Sequence, residues 1–319
     1  MDLQGAEIIR VDDQEGAFVA NSTDLLEMVK RFIESLDVSQ SSRATYYREL
    51  KQFIVWLRET GRITTLYNLH RQDILAYREH LLALGKSSYT VDGYMTAVRK
   101  LFEWLESEKI YPNIAKGVKG TKKAKGFRKD CLTPFQIREA LESIDKGKLE
   151  GLRDYALFNL LIRTGLRTVE VARAQVGDLR QESGEAVLWV QGKGRSNKDD
   201  FVVLVEETLK PLREYLSARG ELSDAAPLFA SISDRNCGLL LTTKSISRII
   251  KNTLRGIDLN DKRLSAHSLR HTAISLSIKG GASLEQAQAM ARHTDPKTTL
   301  IYFHNAARIE SGAEKFINF

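Results

Sequence analysis

Apolar residues recur at helical spacing through the first third of the chain and through its last third, with one short alternating region between. Leu25, Leu26, Val29, Phe32, Ile33 and Leu36 form one such face. Tyr46, Leu50, Phe53, Ile54 and Leu57 form a second, after the candidate N-caps Ser41 and Ser42. A shorter helix is predicted near 73–82, stopping before Gly85. Another starts at Ser87 or Ser88 and presents Val91, Tyr94, Met95, Val98, Leu101, Phe102 and Leu105. Residues 22–112 therefore read as a small bundle of four helices, preceded by a loose extension over 1–21.

The pattern resumes at Thr133-Pro134, a cap residue followed by proline at the first helical position. Residues 152–164 are mostly apolar and read as a buried helix closed by Gly165. The runs 186–190 and 201–205 are β-rich and joined by a polar stretch, the signal of a hairpin with a long tip. Helices are predicted at 207–219, 243–255, about 267–279 and 283–292, with a short one reaching Phe319. The class is mainly α: a helical N-terminal domain, then a mixed, mostly helical domain over 131–319 with a small antiparallel sheet.

Composition excludes several alternatives. With 319 residues, 42% hydrophobic and 28% charged, the chain is globular and long enough for about two domains. No run of about 18 apolar residues predicts a membrane span, and the N-terminus lacks the basic-then-apolar order of a secretory leader. Cys131 and Cys237 are too few and too far apart for a disulfide framework or a metal motif. These readings lead us to expect a cytoplasmic protein without metal or other cofactor.

The net charge of +7 is informative mainly by its location. Residues 1–20 carry −4, whereas 113–130 carry +6 through Lys116, Lys119, Lys122, Lys123, Lys125, Arg128 and Lys129 against Asp130. Glycines are interspersed there and apolar periodicity lapses, so 113–130 reads as a basic linker crossing a phosphate backbone. A solvated charge run is the plainer alternative.

Candidate chemistry lies in the second half. In His267-Ser-Leu-Arg270-His271, paired histidines at i and i+4 could bind zinc, but Ser268 stands where a metalloprotease motif needs Glu. His267 and Arg270 instead share a helix face and can reach one oxyanion. Arg167, in Thr-Gly-Leu-Arg-Thr-Val-Glu, follows a buried helix and a glycine turn; its planar fork suits a phosphate, though it could simply pair with Glu170. Lys193 lies between Gly192 and Gly194 at the hairpin tip, a mobile position for a proton donor or an exposed turn lysine. That loop enters a strand, not a helix, so it is no Walker phosphate loop. His293 precedes a proline-started helix that carries Tyr302, which taken alone reads as a core tyrosine.

Taken in order, Thr-Gly-Leu-Arg-x-x-Glu, Gly-Lys-Gly, His-x-Leu-Arg-His and His-x8-Tyr-x-His resemble the active-site set of the tyrosine recombinase, or phage integrase, family over about residues 22–319. The resemblance implies a SAM-like core-binding domain over 22–112 and a catalytic domain over 131–319, closing on double-stranded DNA. It implies Tyr302 as nucleophile forming a 3′-phosphotyrosyl link, and Arg167 and Arg270 on the phosphate oxygens. Lys193 would protonate the leaving 5′-oxygen, His267 would serve as acid and base toward the tyrosine, and His293 would bond the phosphate. Neither ATP nor metal is implied. A homotetramer on two sites through C-terminal helix exchange, and an accessory directionality factor, are the implied partners. The biological roles left open are integration or excision of a mobile element and Xer-like dimer resolution. An inactive DNA-binding regulator on this scaffold, and topoisomerase activity as a side reaction, remain further alternatives. One departure is Ala291-Arg292 before His293, where many relatives have Leu-Gly, which puts the geometry of that turn in question.

Overall fold

A computed structural model describes residues 7–9, 18–20, 25–61, 68–122, 130–192, 194–310 and 312–317. The chain divides into two units, Met1–Lys125 and Gly126–Phe319. Among the described residues no helix is long and apolar enough to cross a membrane.

In the first unit, the extension expected to be loose contains two short antiparallel strands, β1 (Glu7–Ile9) and β2 (Phe18–Ala20), with Glu7 opposite Ala20. The bundle follows as α1 (Leu25–Ser35), α2 (Gln40–Glu59), α3 (Arg71–Ala83) and α4 (Ser88–Ser107). Helix α2 starts before the expected caps because Ser39, in extended backbone, accepts the Ser42 amide at 3.3 Å. Ser87 caps α4 in the same way. The buried faces are those the periodicity marks: Phe32 of α1, Leu50, Phe53 and Leu57 of α2, and Val91, Val98 and Leu105 of α4. Tyr77 of α3 packs between Phe53 and Trp56, with ring centroids 4.9 and 5.1 Å away.

The first part of the basic stretch lies against this bundle. Ala115 and Val118 are buried in its core. Backbone carbonyls of Lys116, Val118 and Lys119 accept guanidinium bonds from Arg71, Arg99 and Arg78 at 2.5, 3.0 and 3.2 Å. The side chains of Lys116, Lys119 and Lys122 are exposed. Lys123, Lys125, Arg128 and Lys129 lie outside the described residues.

The second unit begins with α5 (Pro134–Glu142), where Thr133 accepts from the Gln136 amide and the Gln136 side chain accepts from the Thr133 amide. Helix α6 (Leu149–Thr164) is buried on most of its circumference and ends at Gly165 in left-handed conformation, φ 63°. A short α7 (Thr168–Arg173), which the periodicity had not suggested, comes next. The sheet has three antiparallel strands, β3 (Leu179–Glu182), β4 (Glu185–Val190) and β5 (Asp200–Val203), with β4 central. The expected hairpin is β4–β5, Val190 opposite Asp200. Five helices follow: α8 (Glu206–Ala218), α9 (Thr243–Arg255), α10 (Ala266–Lys279), α11 (Leu284–Ala291) and α12 (Pro296–Glu310). The C-terminal helix expected to reach Phe319 ends at Glu310, and a 3-10 turn occupies Ala313–Phe316.

The core of this unit gathers Leu157, Phe158 and Leu161 of α6 with Leu188 of β4, Leu212 and Tyr215 of α8 and Leu269 of α10. A separate small cluster of Ile274, Ala291 and Tyr302, flanked by Ile278 and Met290, joins α10, α11 and α12.

Candidate active site

The turn from α6 into α7 places the first arginine. Gly165 permits the reversal, Leu166 is buried, and Arg167 stands in extended backbone just before α7. Glu170, fully buried, holds it: Oε2 accepts the Arg167 amide at 2.7 Å and Oε1 accepts Nη1 at 2.9 Å. The pairing anticipated from sequence is therefore present, yet the Arg167 side chain keeps 28% of its exposure. Its Nη2 also donates to the Arg292 carbonyl at 3.4 Å. Burial pushes the Glu170 carboxyl up, but the Arg292 charge and the bonds from Arg167 and Arg292 outweigh it, and the group stays below the ordinary carboxylate range.

Helix α10 carries the second arginine. Ser268 occupies its third position, where its hydroxyl accepts the Ser265 amide at 3.0 Å and donates to the Arg263 carbonyl at 3.0 Å. The residue that spoils a zinc motif is thus part of the helix cap. Arg270 is almost completely buried; Nη1 donates to the Gly165 carbonyl at 2.6 Å, and Nη2 donates to the Ala291 carbonyl. Burial, aided by the charges of Arg167 and Arg292, pulls its pKa down to about 9. It remains a cation at neutral pH. His267, one turn earlier, joins Arg167 and Arg270 around a cavity of about 370 Å³.

Tyr302 of α12 is buried with its hydroxyl 2.5 Å from Nδ1 of His271. The rings of His271 and Tyr302 stack at 5.5 Å, and His267 meets His271 edge to face at 4.6 Å. His293, whose Nδ1 shares a hydrogen bond of 2.9 Å with the Thr299 hydroxyl, lies 6.3 Å from the tyrosine ring. Burial lowers His271 to about 4, helped by His267 and Arg270. Burial likewise lowers His293 to about 4, helped by Arg270 and Arg167. Tyr302 is raised to about 12, again by burial first, with the Arg270 charge opposing. At neutral pH the Tyr302 phenol and the His271 and His293 imidazoles are neutral beside the buried guanidinium of Arg270.

The structure thus brings together Arg167, His267, Arg270, His293 and Tyr302. Lys193 lies outside the described residues. Of the described residues on either side of it in the chain, Gly192 accepts a bond from Arg173 at 3.3 Å, and Lys198 is tied to Asp178 at 2.7 Å. His271 and Arg292 had no place in the sequence-derived set. His271 was visible only as the second histidine of the pentad. Arg292 was visible only as a departure from a motif. Chemically, fixed cations can hold a tetrahedral anion while the phenol, hydrogen-bonded to a neutral imidazole, acts as nucleophile.

The sequence profile described as Phage integrase family matches residues 130–308, and that of Phage integrase, N-terminal SAM-like domain, matches 29–109. The tyrosine recombinase XerD of Pasteurella multocida (strain Pm70) is 30% identical over 275 residues, spanning 84% of this chain and 89% of the relative. XerD of Listeria monocytogenes serovar 1/2a is 28% identical over 284 residues, spanning 88% and 94%. Among solved structures, the XerH site-specific recombinase bound to palindromic difH substrate has TM-score 0.75 at 22% identity, over 92% of this chain and 97% of that one. The Tn1549 transposon integrase in complex with transposon right end DNA has TM-score 0.70 at 15% identity, over 91% and 98%. Both share the fold.

Proposed function

Given that the chain belongs to the phage integrase family, we propose that its buried cluster cuts and rejoins DNA at a specific site through Tyr302. The protein is a tyrosine-type site-specific recombinase. The observation that carries the residue assignment is the Tyr302 hydroxyl against a neutral His271, in the same cluster as the deeply held Arg270.

In the cleavage step the Tyr302 oxygen attacks phosphorus and the bond to the 5′-oxygen breaks, leaving a 3′-phosphotyrosyl ester and a 5′-hydroxyl. The phenolic proton passes to His271. His267, packed against that ring, is the acid–base partner behind it. Arg167 and Arg270 hold the non-bridging oxygens and stabilise the charge of the pentavalent transition state. His293 adds a hydrogen bond to the phosphate, and Lys193 protonates the departing 5′-oxygen. Rejoining reverses each transfer. Because the ester retains the energy of the phosphodiester, the cycle consumes no ATP, and the arginines take the role that a metal ion plays elsewhere.

Residues 22–112 and 131–319 serve as DNA-binding and catalytic domains, and the lysines and arginine of 113–130 run along the phosphate backbone. The working form is a homotetramer on two duplex sites. Phe316 and Ile317 at the C-terminal turn, largely exposed, suit docking in a neighbouring subunit. Deleting 308–319 is then expected to impair recombination more than single-site binding, whereas equal loss of both argues for packing at home. We place the protein in the cytoplasm, integrating or excising a mobile element with an accessory directionality factor. The second reading, Xer-like resolution of chromosome or plasmid dimers, is favoured by the XerD relatives.

Incubating the purified protein with sheared DNA from its source and sequencing the covalently trapped fragments tests the chemistry and the role together. A Tyr302→Phe variant is expected to trap nothing; an adduct formed by that variant overturns the nucleophile. The trapped sequence separates element ends from a chromosomal dimer site. Absence of any adduct from the unaltered protein favours the inactive regulator.

A further inference from the structure

The turn that ends α11 holds more of the site than its own residues suggest. Arg292 there has φ 51°, the left-handed region that a side-chain-bearing residue occupies only when something holds it. Its side chain retains 5% exposure. Nη2 donates to Oε2 of Glu170 at 2.9 Å, and Nη1 donates to the Met290 carbonyl at 2.7 Å. Nε has no partner among the described residues. The carbonyls of this same turn accept from both site arginines: Ala291 from Arg270, and Arg292 from Arg167. Arg292 also lines a cavity of about 440 Å³ shared with Arg167, Arg195 and His293.

The charge balance gives this arrangement its meaning. A buried carboxylate paired with one arginine makes a neutral couple, and the guanidinium's charge is then largely spent on its partner. Arg167 and Glu170 alone would be such a couple. With Arg292 on the second carboxylate oxygen, the group of three carries a net +1. Oε2 already accepts the Arg167 amide, and the Arg292 bond is a second hold on it, so Glu170 is kept from turning that oxygen onto the Arg167 fork.

We propose that Arg292 is a positioning residue for Arg167. By sharing Glu170 and supplying its own carbonyl, it fixes the Arg167 fork and leaves that fork's charge available to a phosphate. This rests on Arg167 acting as a phosphate clamp, as argued above.

The test uses the full chain and a nicked suicide duplex carrying the sequence recovered by covalent trapping. Arg292→Gly relieves the left-handed strain while removing the guanidinium, and Arg292→Met removes the charge while filling the space. Both are expected to slow single-turnover adduct formation at saturating protein by at least about tenfold. Affinity for the same duplex, measured in a Tyr302→Phe background, is expected to change by less than about threefold. Adding Glu170→Gln to Arg292→Gly removes the carboxylate that recaptures Arg167, and is expected to restore most of the lost rate. A purely structural role for Arg292 does not lead to that recovery.

An undiminished rate in both single variants overturns the proposal, as does failure of Glu170→Gln to recover any rate. Arg167→Ala serves as the control. If it slows cleavage while the Arg292 variants do not, the positioning role alone fails. If Arg167→Ala leaves the rate intact, the clamp and the positioning role fail together.

Discussion

At the scale of single residues, the depth of the cations decides what the site tolerates. Arg270 reaches two backbone carbonyls, of Gly165 and Ala291, from one planar fork. A lysine has one nitrogen on a flexible stem and cannot span both. Arg270→Lys is therefore expected to lower the single-turnover rate of adduct formation by about 100-fold or more, and a loss below tenfold contradicts the bridging geometry. The histidines predict a pH dependence of stability. His271 and His293 fall to about 4 in the folded chain from an ordinary 6.5. Between those values the unfolded chain binds the extra protons, so their contribution is complete above about pH 6.5 and is lost as pH falls toward 4. At pH 5 the loss is roughly 1 kcal/mol for each after solvent screening, or about 2–4 °C in Tm. His271→Asn and His293→Asn should each flatten the decline of Tm between pH 7 and pH 5; an unchanged slope rules out the buried neutral imidazole. Arg167, Arg270 and Tyr302 could be picked out in the sequence as candidates because, taken together and in order, their motifs resemble a family's active-site set, although each alone has a plainer reading. His271 could not, since spacing does not say which histidine of a pentad will meet a tyrosine from a helix 31 residues later. Arg292 stood out only as a departure from a motif, and its ion pair with the buried Glu170, 122 residues earlier, is visible only in the fold.

At the scale of elements, the site depends on how α6 ends. Gly165 lets the chain turn with φ 63° while directing its carbonyl at Arg270. A side chain at this residue meets ordinary contacts, with Ala273 Cβ at 3.5 Å, so the penalty of Gly165→Ala is conformational. It is expected to cost about 1–2 kcal/mol, seen as a fall of about 2–8 °C in Tm. Because the displaced carbonyl holds Arg270, cleavage should slow even at temperatures where the variant is fully folded; an unaffected rate detaches the turn from the chemistry. Helices with a long apolar face, such as α2, α4, α9 and α10, were readable because burial imposes the 3.6-residue repeat. The six residues of α7 are too few to show a repeat. Strand β3, with sequence Leu-Arg-Gln-Glu, lies at the sheet edge and buries so little that alternation never develops. Helix starts were misjudged by a residue or two, as at Ser39, where adjacent serines offer several equivalent caps.

At the scale of the whole chain, the excess positive charge concentrated in 113–130 should govern affinity more than chemistry. Lys116, Lys119 and Lys122 project from backbone whose carbonyls are bonded to Arg71, Arg78 and Arg99 or which lies beside Thr121, itself bonded to the Ser88 carbonyl at 2.7 Å. Ammonium groups on such support lose less freedom on meeting a phosphate than they would on a free tether, so their contribution should survive as measurable affinity. Each phosphate they neutralise releases condensed counterions and steepens the logarithmic salt dependence by about 0.9. Replacing all three by Gln is therefore expected to reduce the salt slope by about 2–3. The loss should be equal on the trapped site and on random duplex, because phosphate contacts carry no sequence information. Adduct formation at saturating protein should be unaffected, since none of the three belongs to the cluster around Tyr302. A slope unchanged by the triple replacement returns the segment to a solvated charge run, and a loss confined to the trapped site means that these lysines read bases instead of backbone.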